Sequence, residues 1–286
     1  MKPYDVIYQR VPPHQREKLR TFRLTHPPHV TIVDGVEWKY ISCGTGDETV
    51  VLLPGGIRSG ETWFNLITAL EDEYRIISLT YPAVPTMTHL MRGIAGIMEK
   101  EHIEQGHILG TSFGGWIAQC FVRMYPQKTK TLILSHTSGS HWVSLHLLRI
   151  GRVATAVYPL WLFRIAIRKN YFRLLSIPDS EREFWKAYIE ELSLNTTKED
   201  IISQQDCTRD LIKNYVFSRN DLVNWPGRIL ILESDDDPAF KKDVREELKV
   251  LYPMAQVHTF HEAGHTPGYT NPGEYVSVIK DFWAKE

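Results

Sequence analysis

From residue 29 onward, short apolar runs alternate with longer segments whose apolar positions recur every three or four residues. Residues 29–33 and 37–42 read as strands and flank Asp34-Gly35, a dipeptide suited to a tight hairpin turn. Residues 49–53 form an apolar run stopped by Pro54-Gly55-Gly56, and residues 75–80 form another, stopped near Pro82. Short runs at 108–109, 131–135, 228–232 and 256–260 read as further strands. Helical spacing covers 61–70, 86–100, 113–125, 240–252 and 271–285. Alternation of this kind predicts an α/β fold, a mostly parallel sheet flanked by helices with one antiparallel hairpin at its start. From about 139 to 220 the pattern is helical and strand-free, which predicts a helical lid inserted over the carboxyl edge of the sheet. The first 28 residues are charged and carry Pro3, Pro12, Pro13, Pro27 and Pro28. They read as a loosely packed N-terminal arm. The expected organisation is an arm over 1–28, a core over 29–138 and 221–286, and a lid over 139–220.

Composition narrows the chemistry. The chain has 286 residues, of which 43% are hydrophobic and 23% charged, as in an ordinary globular protein. Its 33 basic and 34 acidic residues nearly cancel, so no long-range field is available to gather phosphates, nucleic acid or anionic lipid. Cys43, Cys120 and Cys207 are odd in number and far apart, which argues against a disulfide framework and for a reducing, cytoplasmic setting. The N-terminal residues lack the apolar centre of a secretory signal. No apolar run reaches the roughly 18 residues that a membrane span needs. No stable membrane insertion and no nucleic-acid partner are therefore expected.

The sharpest chemical signal is Gly110-Thr111-Ser112-Phe113-Gly114-Gly115, which follows a short apolar strand and opens a helix. A serine on so tight a turn needs small neighbours, and the glycines supply them. Ser112 is the candidate nucleophile, and the Phe113 N–H, at the helix start, is a candidate oxyanion donor. A base must reach Ser112, and there are 12 histidines to choose from. His265, in Ala263-Gly264-His265-Thr266-Pro267, sits on the loop between the last strand and the last helix, at the edge where such sheets bind ligands. His258 and His261 lie in or at the end of a strand. His102, His107, His136, His141 and His146 lack such a loop. The strand 228–232 runs into Glu233-Ser234-Asp235-Asp236-Asp237-Pro238, where an acid is needed to orient His265.

From about residue 29 to the end, this arrangement resembles the α/β-hydrolase superfamily. The resemblance implies an eight-stranded sheet, a helical lid, and a triad in the order Ser112, acid, His265. Relatives commonly have glycine after that strand and the acid three residues later. Ser234 stands in place of the glycine, which points to Asp237 as the acid, with Asp236 as the fallback. By position in the family's oxyanion loop, Gly56 is the second oxyanion donor, although Pro54-Gly55 replaces the usual His-Gly. The strings Tyr81-Pro82-Ala83-Val84 and Leu251-Tyr252-Pro253-Met254-Ala255, together with the serine motif, are similar to the maspardin-like branch. That branch implies an alternative role as a non-catalytic binding or adaptor protein.

The resulting expectation is a serine hydrolase of the carboxylesterase type, acting on a small ester or acyl substrate without cofactor or metal. A competing string, His261-Glu262-Ala263-Gly264-His265, matches the H-E-x-x-H of zinc proteases, but Gly264 and Pro267 oppose the helix that chemistry requires. Arg58 is read as a solvated charge, with a substrate carboxylate as the alternative. Trp142, Tyr158, Trp161, Phe163, Tyr171 and Phe172 are read as lid core, with the lining of a pocket for an apolar acyl or alcohol group as the alternative. The basic residues Arg149, Arg152, Arg164, Arg168, Lys169 and Arg173 are read as facing water, with an anionic lipid surface as the alternative.

Overall fold

The computed structural model describes residues 4–139, 144–270 and 272–284. His141 and Trp142 lie outside the described residues, as do the first and last positions of the helix expected over 271–285. β1 (His29–Val33) and β2 (Val36–Cys43) pair antiparallel across Asp34-Gly35, whose φ angles are 51° and 76°. Two consecutive positive φ angles are what a type I′ hairpin turn requires. Then follow β3 (Thr49–Leu53), β4 (Arg75–Thr80), β5 (Gly106–Thr111), β6 (Thr129–Ser135), β7 (Arg228–Ser234) and β8 (Gln256–Phe260). They form one eight-stranded sheet in the order β1-β2-β4-β3-β5-β6-β7-β8. β2 is antiparallel to both neighbours, and the strands from β4 to β8 pair in parallel. The mostly parallel sheet expected from the alternation is present.

Two cores flank the sheet, and the strand period of two divides side chains between them. In β3, Val51 and Leu53 face one core while Val50 and Leu52 face the other. The first core is covered by α4 (Met87–Lys100), α5 (Phe113–Met124) and α10 (Lys242–Leu251). The second is covered by α2 (Pro13–Thr25), α3 (Phe64–Leu70), α8 (Arg182–Asn195) and α12 (Pro272–Ala284). Thr86 caps α4 by accepting a hydrogen bond from the His89 N–H.

The N-terminal segment departs from expectation. It is not a loose arm: after the short α1 (Tyr4–Ile7), Tyr8, Val11, Leu19 and Phe22 are buried in the second core. Arg23 donates to both Glu61 and Glu191, and the Tyr8 hydroxyl donates to Glu191 at 2.5 Å. Burial of Leu19 and Phe22 contributes about 1.5–3 kcal/mol each. A helix anchored by so few apolar side chains among charged ones carries almost no periodic signal in sequence.

Between β6 and β7 lie α6 (Leu145–Val157), α7 (Leu160–Leu174), α8 and α9 (Lys198–Asn214). α9 begins with a capping box, in which Thr197 and Asp200 satisfy each other's backbone N–H. No described helix is long and apolar enough to cross a membrane.

Candidate active site

Ser112 occupies the turn between β5 and α5 with φ 51° and ψ −117°, a conformation that costs a non-glycine residue energy. Surrounding contacts hold it there. The Ser112 N–H donates to Ser135 O at 3.0 Å, and Ser112 O accepts from Gly115 N–H and from the Thr137 hydroxyl. The glycines of the motif are sterically required. A Cβ on Gly110 would lie 2.3 Å from Gly114 O, and one on Gly114 would lie 2.1 Å from Leu53 O. Close packing of β3, β5 and α5 thus places the serine at the carboxyl end of the sheet, at the positive end of a helix.

His265 follows β8 and precedes α11 (Pro267–Thr270). Its Nδ1 donates to Asp237 Oδ1 and Oδ2 at 3.0 and 2.9 Å, and both side chains are buried. Asp237 Oδ1 also accepts from the N–H groups of Ala239 (2.7 Å) and Phe240 (3.2 Å). Burial opposes ionisation of Asp237, but the bond from His265, the electrostatic influence of His265 and His136, and the Ala239 N–H outweigh it and hold the carboxyl below its ordinary range. An ionised Asp237 fixes the Nδ1–H tautomer, leaving Nε2 free to take a proton. The loop also bonds to the insertion, since the His265 N–H donates to Leu174 O at 3.0 Å.

The other aspartates of the run do different work. Asp235 pairs with His261 at 2.7 Å and accepts from the Glu262 N–H, and Asp236 accepts from the Gly264 N–H at 2.9 Å. Rather than being simply solvated, they pin the turn that presents His265. The H-E-x-x-H string is a turn, not a helix. The His261 side chain is 83% exposed while that of His265 is 3% exposed, so the two rings share no face.

Ser112, Phe113, Gly56 and His265 line one cavity of about 460 Å³, with Trp116, Leu174, Trp185 and Tyr188 among its apolar walls. Phe113 is the first residue of α5, so its N–H has no intrahelical acceptor. No hydrogen bond from the Gly56 N–H occurs among the described ones. A second space of about 740 Å³ adjoins the first and shares Gly56, Tyr171 and Gln204 with it.

Arg58 corrects the expectation of a solvated charge. Only 5% exposed, it lines the second space. It donates to Pro82 O at 2.5 Å, to the Ser203 hydroxyl at 3.1 Å and to Asp200 O at 3.4 Å, while Nε has no partner among the described residues. Burial lowers its pKa, and no described carboxylate pairs with it. Of the aromatics expected in lid core, Tyr171 lines both spaces, Phe163 and Phe172 are half-buried, and Tyr158 and Trp161 are exposed.

Sequence reasoning set His136 aside. Its ring lies 6.0 Å from that of His265, with Nδ1 2.9 Å from the Ser135 hydroxyl and Nε2 2.7 Å from the Ser234 hydroxyl. Burial, with the neighbouring His265, pushes its pKa down to about 3, so it is neutral. Ser234, the residue that replaces the customary glycine, is its partner. The unusual serine was the one sequence signal for this pairing.

Comparison with known proteins agrees with this fold. A hydrolase of Cupriavidus pinatubonensis named for 2-hydroxy-6-oxononadienedioate and 2-hydroxy-6-oxononatrienedioate is 23% identical over 283 residues, covering 88% of this chain and 93% of its own. Among solved structures, an enol-lactonase of Burkholderia xenovorans superposes with a TM-score of 0.76 at 18% identity, covering 90% of this chain and 100% of that one. A meta-cleavage product hydrolase of Pseudomonas fluorescens gives 0.72 at 20% identity, covering 89% and 97%. The sequence profile described as alpha/beta hydrolase fold matches residues 48–272, a span that includes the serine turn, the aspartate loop and His265. With that match added to the strand order and the serine turn, the chain belongs to the α/β-hydrolase fold family.

Proposed function

We propose that this chain is a serine hydrolase that cleaves an ester or related acyl bond through Ser112, His265 and Asp237. The observation that carries the proposal is one cavity lined both by a strained serine and by an imidazole whose Nδ1 is held by a buried, ionised carboxylate. In this reading His265 Nε2 takes the Ser112 proton as Oγ attacks the substrate carbonyl. The Gly56 and Phe113 N–H groups stabilise the oxyanion. Collapse of the tetrahedral intermediate expels the leaving group, which takes the proton from His265, and leaves an acyl-serine. Water, deprotonated by His265, then releases the acid. The helical insertion acts as a lid whose aromatic and aliphatic walls receive the acyl or alcohol part.

Kinetics with p-nitrophenyl esters of graded acyl length test the proposal. Turnover is expected, and Ser112→Ala should reduce kcat by ~10⁴–10⁶-fold. Retention of more than about a tenth of the activity in Ser112→Ala would remove the serine from this role.

A second reading is hydrolysis of a C–C bond next to a carbonyl, the bond at issue when the substrate is a 2-hydroxy-6-oxo-dienedioate such as the name of the Cupriavidus relative specifies for that protein. A specific observation favours it. A dioate carries carboxylates, and Arg58 is a buried cation without a carboxylate partner among the described residues, in the space that adjoins the cavity lined by Ser112. Cleavage of a vinylogous 1,5-diketone acid, with esters inert, is the outcome that selects this reading. A binding-only role like that of the maspardin-like branch predicts turnover of neither substrate.

A further inference from the structure

α6 is unusual for a helix of a globular protein. Its one buried residue is Thr155, yet Leu147, Ile150, Val153 and Val157 recur at intervals of three and four along it. At about 100° per residue they share one stripe roughly 120° wide. The stripe faces outward and runs on through Tyr158 into Trp161 and Leu162 at the start of α7. Exposure across these seven residues ranges from 39% at Leu162 to 72% at Val157. A contiguous apolar patch of this kind is uncommon on a monomer's surface unless something covers it.

The charged residues carried by the two helices of the patch are all basic. No aspartate or glutamate occurs between positions 105 and 178. Arg149 borders the stripe on α6 and Lys169 lies further along α7; both are exposed and have no ion-pair partner among the described residues. Arg152, the next basic residue on α6, shares the single carboxylate of Asp206 with Arg209, at 2.9 and 3.5 Å. That cluster therefore keeps a net positive charge.

We propose that the outer face of α6 and the start of α7 docks on an anionic lipid bilayer. The apolar stripe enters the headgroup boundary, the ring edges of Tyr158 and Trp161 lie at the polar interface, and Arg149 and Lys169 meet anionic headgroups. Charge favours this occupant over a second copy of the chain. A two-fold contact would bring the same basic residues together with no acidic residue in either stripe to pair with them. Docking is peripheral. Tyr171 and Leu174, near the far end of α7, line the catalytic cavity, so the helix that touches the bilayer also walls the site.

Vesicle flotation of the full chain tests the inference independently of turnover. Phosphatidylcholine vesicles are compared with vesicles in which a third of the lipid is phosphatidylglycerol. Binding to the anionic vesicles at low salt is expected, and it should weaken as salt is raised. Arg149→Gln and Lys169→Gln should each cut partitioning about fivefold. Val153→Ser with Trp161→Ser should abolish it. All of these positions are exposed, so Tm should not move; a variant that shifts Tm is replaced by Val157→Ser, which tests the same face. No binding, equal binding to both vesicle types, or variants that bind as the parent does would overturn the proposal. So would a dimer seen by sedimentation velocity without lipid and dissolved by the same stripe substitutions.

Discussion

Ser112 sits at a positive φ that only its surroundings sustain, and beside it the His265–Asp237 pair is buried and complete. In the proposed mechanism Asp237 acts by holding a tautomer and stabilising the imidazolium. Asp237→Asn should therefore lower kcat by ~10³–10⁴-fold with little change in fold. Asp236→Asn should cost less than about tenfold, because an amide oxygen still accepts the Gly264 N–H. Initial rates of the two variants on one activated ester check this ranking, and the reverse order would move the acid by one residue. Ser112 and His265 could be singled out in the sequence because each lies on a loop that leaves the carboxyl end of a predicted strand, whereas the choice of Asp237 among three adjacent aspartates needed the spacing of the family it resembles. His136 could not be singled out, because its distant partner, Ser234, is brought alongside it only by the pairing of β6 with β7. Arg58 was misread for a related reason. A lone arginine after a glycine turn looks solvated until α9 closes over it through Ser203 and Asp200.

At the scale of elements, the strands were readable wherever apolar residues ran together, as in Val50–Leu53 of β3, buried on both faces. β5 was read as only Ile108 and Leu109. It extends over Gly106–Thr111 because pairing with β3 and β6 on both sides overrides the weak strand propensity of its glycines and His107. α2 was hidden by its charge and prolines. Its packing makes a prediction: Phe22→Ala removes a ring that stacks on His26 and meets Phe64 edge-on, and should destabilise the chain by about 3–5 kcal/mol. Urea unfolding measures the loss. A change below about 1 kcal/mol would restore the reading of this segment as a loose arm.

For the molecule as a whole, two buried neutral histidines set an acid limit. Burial lowers His107 to about 4 and His136 to about 3, against about 6.5 when unfolded. Both are depressed in the folded state, so the stability they contribute is present above pH about 6.5. It is lost as pH falls from there toward 4 and 3, where the unfolded chain binds protons that the folded chain refuses. Urea unfolding should give a lower ΔG at pH 5 than at pH 7, and His136→Gln should reduce that difference. A ΔG that does not change between the two would contradict this account of the buried rings. The central claim, that Ser112 is a nucleophile activated by His265 and Asp237, is tested most directly by covalent capture. The purified chain is treated with a fluorophosphonate and its peptides are analysed by mass spectrometry. One adduct, on Ser112, is the expected result, absent in Ser112→Ala and formed far more slowly in His265→Ala. A chain that takes up no fluorophosphonate, or takes it up equally well as Ser112→Ala, would contradict the claim.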